Sequence, residues 1–374
     1  MDKKKFSLVD LIAENKLIHT LLAIIIGFAV GAFFMVIMGI SVGAAYGKLF
    51  SSVFSNIKNL SYCIVYATPY IVAGLSVAFS FKTGVFNIGA EGQFVVGAMA
   101  ACCVGILFGH LPSIILIPLC FIAAMVVGSV WGILVGILKT KWGINEVLSM
   151  IMFNWIAFYL SNYIAGIPAV HSEGNAEATK NISDAARTLL PADLIKNLGL
   201  APTANWGILV ALLLTVLVWY IIEKTTLGYE LKAVGFNKHA AEYAGINVNR
   251  SILTALGMSG GLAGLAGALH LMGMGGRISV FAGQEGFGFA GIVVALIGMT
   301  NPFGVFLAGL FYGALTYGGG KLTLVGAPSQ VVNIIVGTVV FFIAISSVFS
   351  YVKKLKKEPK AVPAAENKEK EATE

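Results

Sequence analysis

The sequence predicts an all-α polytopic membrane protein of about ten transmembrane helices, built as two inverted five-helix repeats with both termini cytoplasmic. Three observations carry that expectation. Hydrophobic residues fill 57% of the 374 positions and charged residues only 11%, where a soluble domain carries about a quarter charged residues. The apolar residues fall in runs of about 20, the length that crosses a bilayer as a helix. The 25 Lys and Arg gather at the two ends and between those runs. A mean hydropathy of +0.86 excludes an ordinary water-soluble enzyme. The 44 Gly suit membrane helices that pack closely.

Residues 1–18 (MDKKKFSLVDLIAENKLI) are basic and loosely amphipathic, with Leu8, Leu11 and Ile12 at helical spacing. No small-residue cleavage site follows the first apolar run, so this segment reads as a retained interfacial helix. The transmembrane domain then occupies 19–350. Its spans are expected at 19–41, 61–81, 91–109, 112–138, 146–166, 206–222, 251–273, 286–299, 303–319 and 329–350. Residues 167–205 form a long extracytoplasmic loop of mixed polarity, with Pro168, Pro191 and Pro202. Residues 223–250 form a cytoplasmic loop of helical composition between Gly breaks. The tail 351–374 is rich in Lys, Glu, Ala and Pro; it has too little apolar surface to fold and is expected to be disordered.

Ten spans put both termini on one side, and the basic residues say which. With the N-terminus inside, 18 Lys and Arg lie in inner segments and 7 in outer ones, the bias the positive-inside rule requires. The net charge of +7 therefore reads as orientation signal and anionic-lipid contact. No basic face interleaved with aromatic residues is present for nucleic acid.

The two halves share a pattern. Residues 84–101 read GVFNIGAEGQFVVGAMAA and residues 279–296 read SVFAGQEGFGFAGIVVAL. Each has Val-Phe, a Gly-rich polar break, Glu-Gly, a Phe and then an apolar helix with small residues. The first enters its helix from the inside and the second from the outside, as an inverted repeat requires. Paired breaks of this kind point to a translocation path near the midplane, because backbone that leaves the helix in a bilayer survives only where it lines a cavity or is buried in protein. The candidate path residues are Phe86, Asn87, Glu91, Gln93, Phe281, Gln284 and Glu285. A carboxylate at a helix N-terminus also caps free N–H groups, so for Glu91 and Glu285 the sequence leaves pore and cap both open.

Other chemistry is missing. No G-x-x-x-x-G-K-[ST] occurs: Leu315 stands where the first Gly should be before Gly320-Lys321, and Leu322 follows. Cys63, Cys102, Cys103 and Cys120 lie inside apolar runs with no C-x-x-C or metal spacing, so they read as small buried residues. His239 and Glu242 have no second His to make a metal site, and no metal is expected. The Gly260/Gly264 spacing reads as close helix packing, and His270 as structural.

The strings TGVFNIGAEGQFVVGAMAA (83–101), KTKWGINEVLSMIMFNWIAFYLSNYI (139–164) and GYELKAVGFNKHAAEYAGINVNR (228–250) resemble the ABC importer permeases of the nucleoside-uptake branch, related to ribose and branched-chain amino acid permeases. The resemblance covers roughly residues 20 to 350. It implies a bacterial cell membrane, a heterodimer with a second related permease, an ATP-binding subunit that uses ATP-Mg, and an extracytoplasmic binding lipoprotein. No cofactor is expected in this chain. The resemblance also implies that a short cytoplasmic helix seats in the ATPase; the residues at that coupling site would be Gly228, Ala233, Gly235, Ala240, Ala241, Tyr243 and Gly245. The family's Glu-Ala-Ala order is not kept, since Glu242 follows the two Ala. The competing reading is a self-sufficient secondary transporter that couples to an ion through Glu91 and Glu285.

Overall fold

The computed structural model describes residues 16–174 and 177–357. Among them the chain is helical, with three isolated bridges as the only β pairing. We number the helices α1 (Lys16–Ile37), α2 (Val42–Phe54), α3 (Ile57–Phe81), α4 (Ala90–Leu107), α5 (Ser113–Trp142), α6 (Glu146–Ala165), α7 (Ala192–Leu198), α8 (Gly207–Lys224), α9 (Thr226–Phe236), α10 (Lys238–Tyr243), α11 (Val248–His270), α12 (Phe287–Ile297), α13 (Pro302–Gly320) and α14 (Val331–Lys357). Among the described residues eight helices are long and apolar enough to cross a membrane, and α12 and the start of α14 are shorter apolar helices.

Sequence and structure differ at three places. The interfacial helix expected at 1–18 lies outside the described residues up to 15, and residues 16–18 open α1. The last helix runs on to Lys357, past the expected start of the tail at 351; no Gly or Pro interrupts the sequence between Gly337 and Pro359, and the residue before a proline disfavours helix. Residues 358–374 lie outside the described residues. Helix α2 is an element the hydropathy did not predict. Ser41 caps it by accepting a hydrogen bond from the Ala44 amide, and it buries only Ala45, Leu49, Ser52 and Val53 along one face.

The helices sort into a core and a shell. The spans of α3 and α11 are each 83% buried within the chain, whereas that of α5 is 22% buried. The shell helices α5, α6 and α8 turn Ile114, Val126, Tyr159, Tyr163 and Leu213 outward, as lipid-facing helices do. Glycine makes the core tight. A Cβ on Gly264 would overlap the Ala124 carbonyl of α5, and one on Gly97 of α4 would overlap the Gly264 backbone. Gly128 and Gly260 oppose each other in the same way. In lipid the hydrophobic effect does not drive helices together, so such backbone-to-backbone contact supplies the dispersion energy that does. Elsewhere Gly291 of α12 lies on Ala73, and Gly313 of α13 lies on Ala67.

Two substitutions test this packing. Gly264→Val should cost at least the roughly 1–3 kcal/mol of an overpacked core and lower the melting temperature of the detergent-purified protein. At Gly47, inside α2, an added Cβ meets nothing within 4 Å, so Gly47→Ala should raise stability by about 0.5–1 kcal/mol.

Candidate functional site

The two repeated breaks meet. Residues 84–89 turn the chain from α3 into α4, and residues 276–286 turn it from α11 into α12. Glu91, in the first turn of α4, does not cap its own helix. Its Oε1 accepts a hydrogen bond from the Gly286 amide and its Oε2 from the Gly288 amide, each at 2.7 Å. The carboxylate thus sits between two helix N-termini, whose positive dipole ends would otherwise repel. Gly286 takes φ +86° to enter α12, a left-handed conformation that favours glycine. Gly288 lies so close to the Glu91 backbone that a side chain there would overlap it.

Behind this latch is a sealed polar cluster. Asn87 and Gln93 have no exposed surface. Asn87 Nδ2 donates to Gln93 Oε1 and to Ser259 Oγ, both at 2.7 Å, and Gln93 Nε2 returns a bond to Asn87 Oδ1 at 3.3 Å. Ser259 and Ser76 exchange hydroxyl-to-carbonyl bonds of 2.7 Å, tying α11 to α3. Asn154 of α6 accepts from the Gly92 amide at 2.8 Å and donates to the Ile88 carbonyl at 3.1 Å. The Gly92 amide and the Ile88 carbonyl at the first break are in this way satisfied by one side chain, as the bilayer favours.

The expected path residues therefore divide. Asn87, Glu91 and Gln93 are buried and hydrogen-bonded to the chain itself. Phe86 is partly buried, its ring 4.9 Å from that of Phe81. Gln284 is partly buried and Glu285 exposed. Phe281 and Glu285 do border a cavity of about 250 Å³ at the junction of α4, the end of α11 and the second break. Its inner wall is Phe94, Val95, Ala98 and Leu271; His270 lines it too, and Arg277 and Ser279 stand at the more exposed end. An aromatic stack backs the wall: Phe94 and Phe287 are parallel to within 6° at 4.9 Å, His270 is 4.3 Å from Phe287, and Tyr70 is 5.3 Å from it. His270 Nδ1 is buried with no hydrogen-bond partner among the described residues.

The loop that precedes α8 folds onto this cavity. The Thr179 amide donates to the Ile278 carbonyl and the Ile182 amide to Gly276, both at 2.8 Å. Val280 donates to the Glu177 carbonyl at 2.8 Å. Asn162 of α6 brackets Phe281, accepting from its amide at 2.8 Å and donating to its carbonyl at 3.0 Å. The segment that walls the cavity is thereby fastened to residues 177–182.

On the opposite loop, 223–250, the structure forms two short helices where one was expected. Thr225 caps α9 through Gly228, and Asn237 breaks the chain and caps α10 through His239 and Ala240. Gly245, at φ +82°, ends α10; its amide bonds to Glu242 and that of Ile246 to Ala241, a left-handed cap. The coupling residues named from the sequence face different ways. Gly228 lies against the backbone of Ile221 and Ile222, Gly235 against Lys82, and Ala241 is buried. Ala233 is partly buried, while Ala240 and Gly245 are exposed. Phe236 and Tyr243 are each 95% exposed.

Comparison with known proteins follows the same outline. Residues 59–345 match the family described as the permease component of the branched-chain amino acid transport system. The chain belongs to that family. It is a multi-pass permease of the cell membrane and not an enzyme. It is 41% identical over 346 residues to the guanosine ABC transporter permease NupP of Bacillus subtilis, covering 92% of this chain and 97% of that one. It is 33% identical to the nucleoside ABC transporter permease NupB of Lactococcus lactis, over 95% and 98% of the two chains. It is also 34% identical to the glucose ABC transporter permease TsgB13 of Haloferax volcanii, over 88% and 87%. More distant matches, at 26%, run to NupQ and NupC of the first two organisms.

The latch carries a prediction. Glu91→Ala should cost about 1–3 kcal/mol for each of the two N–H groups left unpaired, seen as a lower melting temperature, and Glu91→Gln, which keeps one acceptor, should cost less. Equal melting of all three proteins would contradict the assignment.

Proposed function

We propose that this chain is the transmembrane permease subunit of an ATP-driven importer of nucleosides. It works beside a second, related permease, an ATP-binding subunit that hydrolyses ATP-Mg, and an extracytoplasmic substrate-binding lipoprotein. The observation that carries this reading is the 41% identity to a guanosine permease across 92% of the chain. A second permease is supported by the names of the matches, which come in pairs from one organism, NupP with NupQ and NupB with NupC. In our reading the eight long apolar helices, with α12 and α14, make ten spans in two inverted five-helix halves. The distribution of Lys and Arg then places both termini in the cytoplasm.

In that orientation α9 and α10 face the ATPase. Exposed aromatic residues on a short helix pair suit a seated interface, and Phe236 and Tyr243 are its natural anchors; Gly228, Gly235 and Ala241 fasten the pair to the permease. The cavity beside Phe281 and Glu285 faces the outer half of the path, and the loop at 167–205 receives the lipoprotein above it. Asn87, Glu91 and Gln93 frame the path from behind. The secondary-transporter reading loses ground on one observation: both oxygens of Glu91 are already engaged by backbone amides, where an ion-coupling carboxylate needs access to its ion.

Glucose is the substrate to test against, because the TsgB13 match is close to the NupB one in identity, 34% against 33%. The complete complex in proteoliposomes should accumulate guanosine on addition of ATP and leave glucose outside; the reverse preference would contradict the proposal. Phe236→Ala and Tyr243→Ala should each lower uptake by about tenfold, the effect of losing an interface anchor worth roughly 1.4 kcal/mol, with unchanged amounts in the membrane. Normal uptake by both variants would remove the docking assignment.

A further inference from the structure

The cavity has two ends of different character. Phe94 and Leu271 are 1% and 2% exposed at its inner wall, whereas Arg277, Ser279 and Glu285 stand at the exposed end. A nucleoside has the same asymmetry, a flat apolar base with a polar edge joined to a hydroxyl-bearing ribose. A volume of about 250 Å³ is just below the roughly 300–1,000 Å³ of sites for drug-sized ligands. A second cavity, about 240 Å³ beside Met99, Trp131 and Ile164, exposes almost only apolar surface, and Trp131 Nε1 and Ser161 Oγ on its wall are buried without partners among the described residues.

We infer that the cavity bounded by Phe94, His270, Phe281 and Glu285 is a transit site that holds a nucleoside inside the permease, base toward the rings and ribose toward Arg277 and Ser279. This rests on the nucleoside reading and adds to it a location and a basis for choice. The stack through Phe287 holds the His270 ring in place, and the partly open rings of His270 and Phe281 are offered without rearrangement. His270 lines the cavity, and since its Nδ1 is buried and closed off without a partner among the described residues, it is the ring face and not this nitrogen that meets the base. A hexose satisfies the exposed end and leaves the ring end unfilled. The site therefore selects for the base.

The test uses the permeases and ATPase assembled without the binding protein, so that docking cannot shield the cavity. Cys63, Cys102, Cys103 and Cys120 are replaced, and Ser279, exposed and lining the cavity, is changed to Cys. A small methanethiosulfonate reagent should label Ser279→Cys, and saturating guanosine or uridine should slow labelling about tenfold, as a site nine-tenths occupied does; glucose should not. Adding Phe281→Leu should abolish this protection and Phe281→Tyr should retain it. If neither nucleoside slows labelling in a complex that still takes up guanosine when binding protein is restored, the transit site is wrong and the import reading stands. If the unsubstituted complex takes up no nucleoside, both fall.

Discussion

The arrangement depends on one carboxylate, Glu91, placed between the N-termini of α4 and α12. Each helix start leaves amides without intrahelical partners, and in a bilayer each unpaired group costs several kcal/mol. Two such starts facing each other would be repulsive. Glu91 belongs to the first and accepts from the second at Gly286 and Gly288, so one side chain makes both breaks tolerable. The left-handed Gly286 and the side-chain-free Gly288 allow the approach. The cavity beside Phe281 exists because α12 starts there and not farther out.

From that latch the structure connects outward on both sides. The second break is bonded to the loop around Thr179 and to Asn162, so that loop and the cavity wall are fastened together. On the other face, Gly235 of α9 packs on Lys82, next to the start of the first break. The α9–α10 pair is thereby in contact with the turn that leads into Glu91. The glycine-lined contacts of α11 with α4 and α5 make the intervening core stiff.

Much of this was legible in the sequence, because a bilayer imposes long apolar runs and confines polar groups to few places. Among the described residues the eight long apolar helices and the two shorter ones lie close to the predicted apolar runs, and the Gly260/Gly264 spacing packs as expected. The string containing Glu91 was singled out as a break, yet the partner of its carboxylate was not readable, since Gly286 and Gly288 are nearly two hundred positions away. Asn87 and Gln93 read as path residues in one dimension, where their bonds to each other are not legible. Asn154 and Ser259, polar residues inside apolar runs, carried a signal that could have been followed. His270 was passed over because nothing in the sequence around it announces a cavity. Helix α2 was missed because only one face is buried, and Phe236 and Ala241 could not be assigned to opposite faces without the Asn237 break.

Hydrogen exchange across the second break tests the latch most directly. In the wild-type complex the amides of Gly286 and Gly288 should be strongly protected, and Glu91→Ala should release protection in peptides spanning 282–292 while peptides from α9 and α10 stay unchanged. Unaltered exchange over 282–292 in Glu91→Ala would show that the carboxylate does not hold α12, and the account built on it would fail.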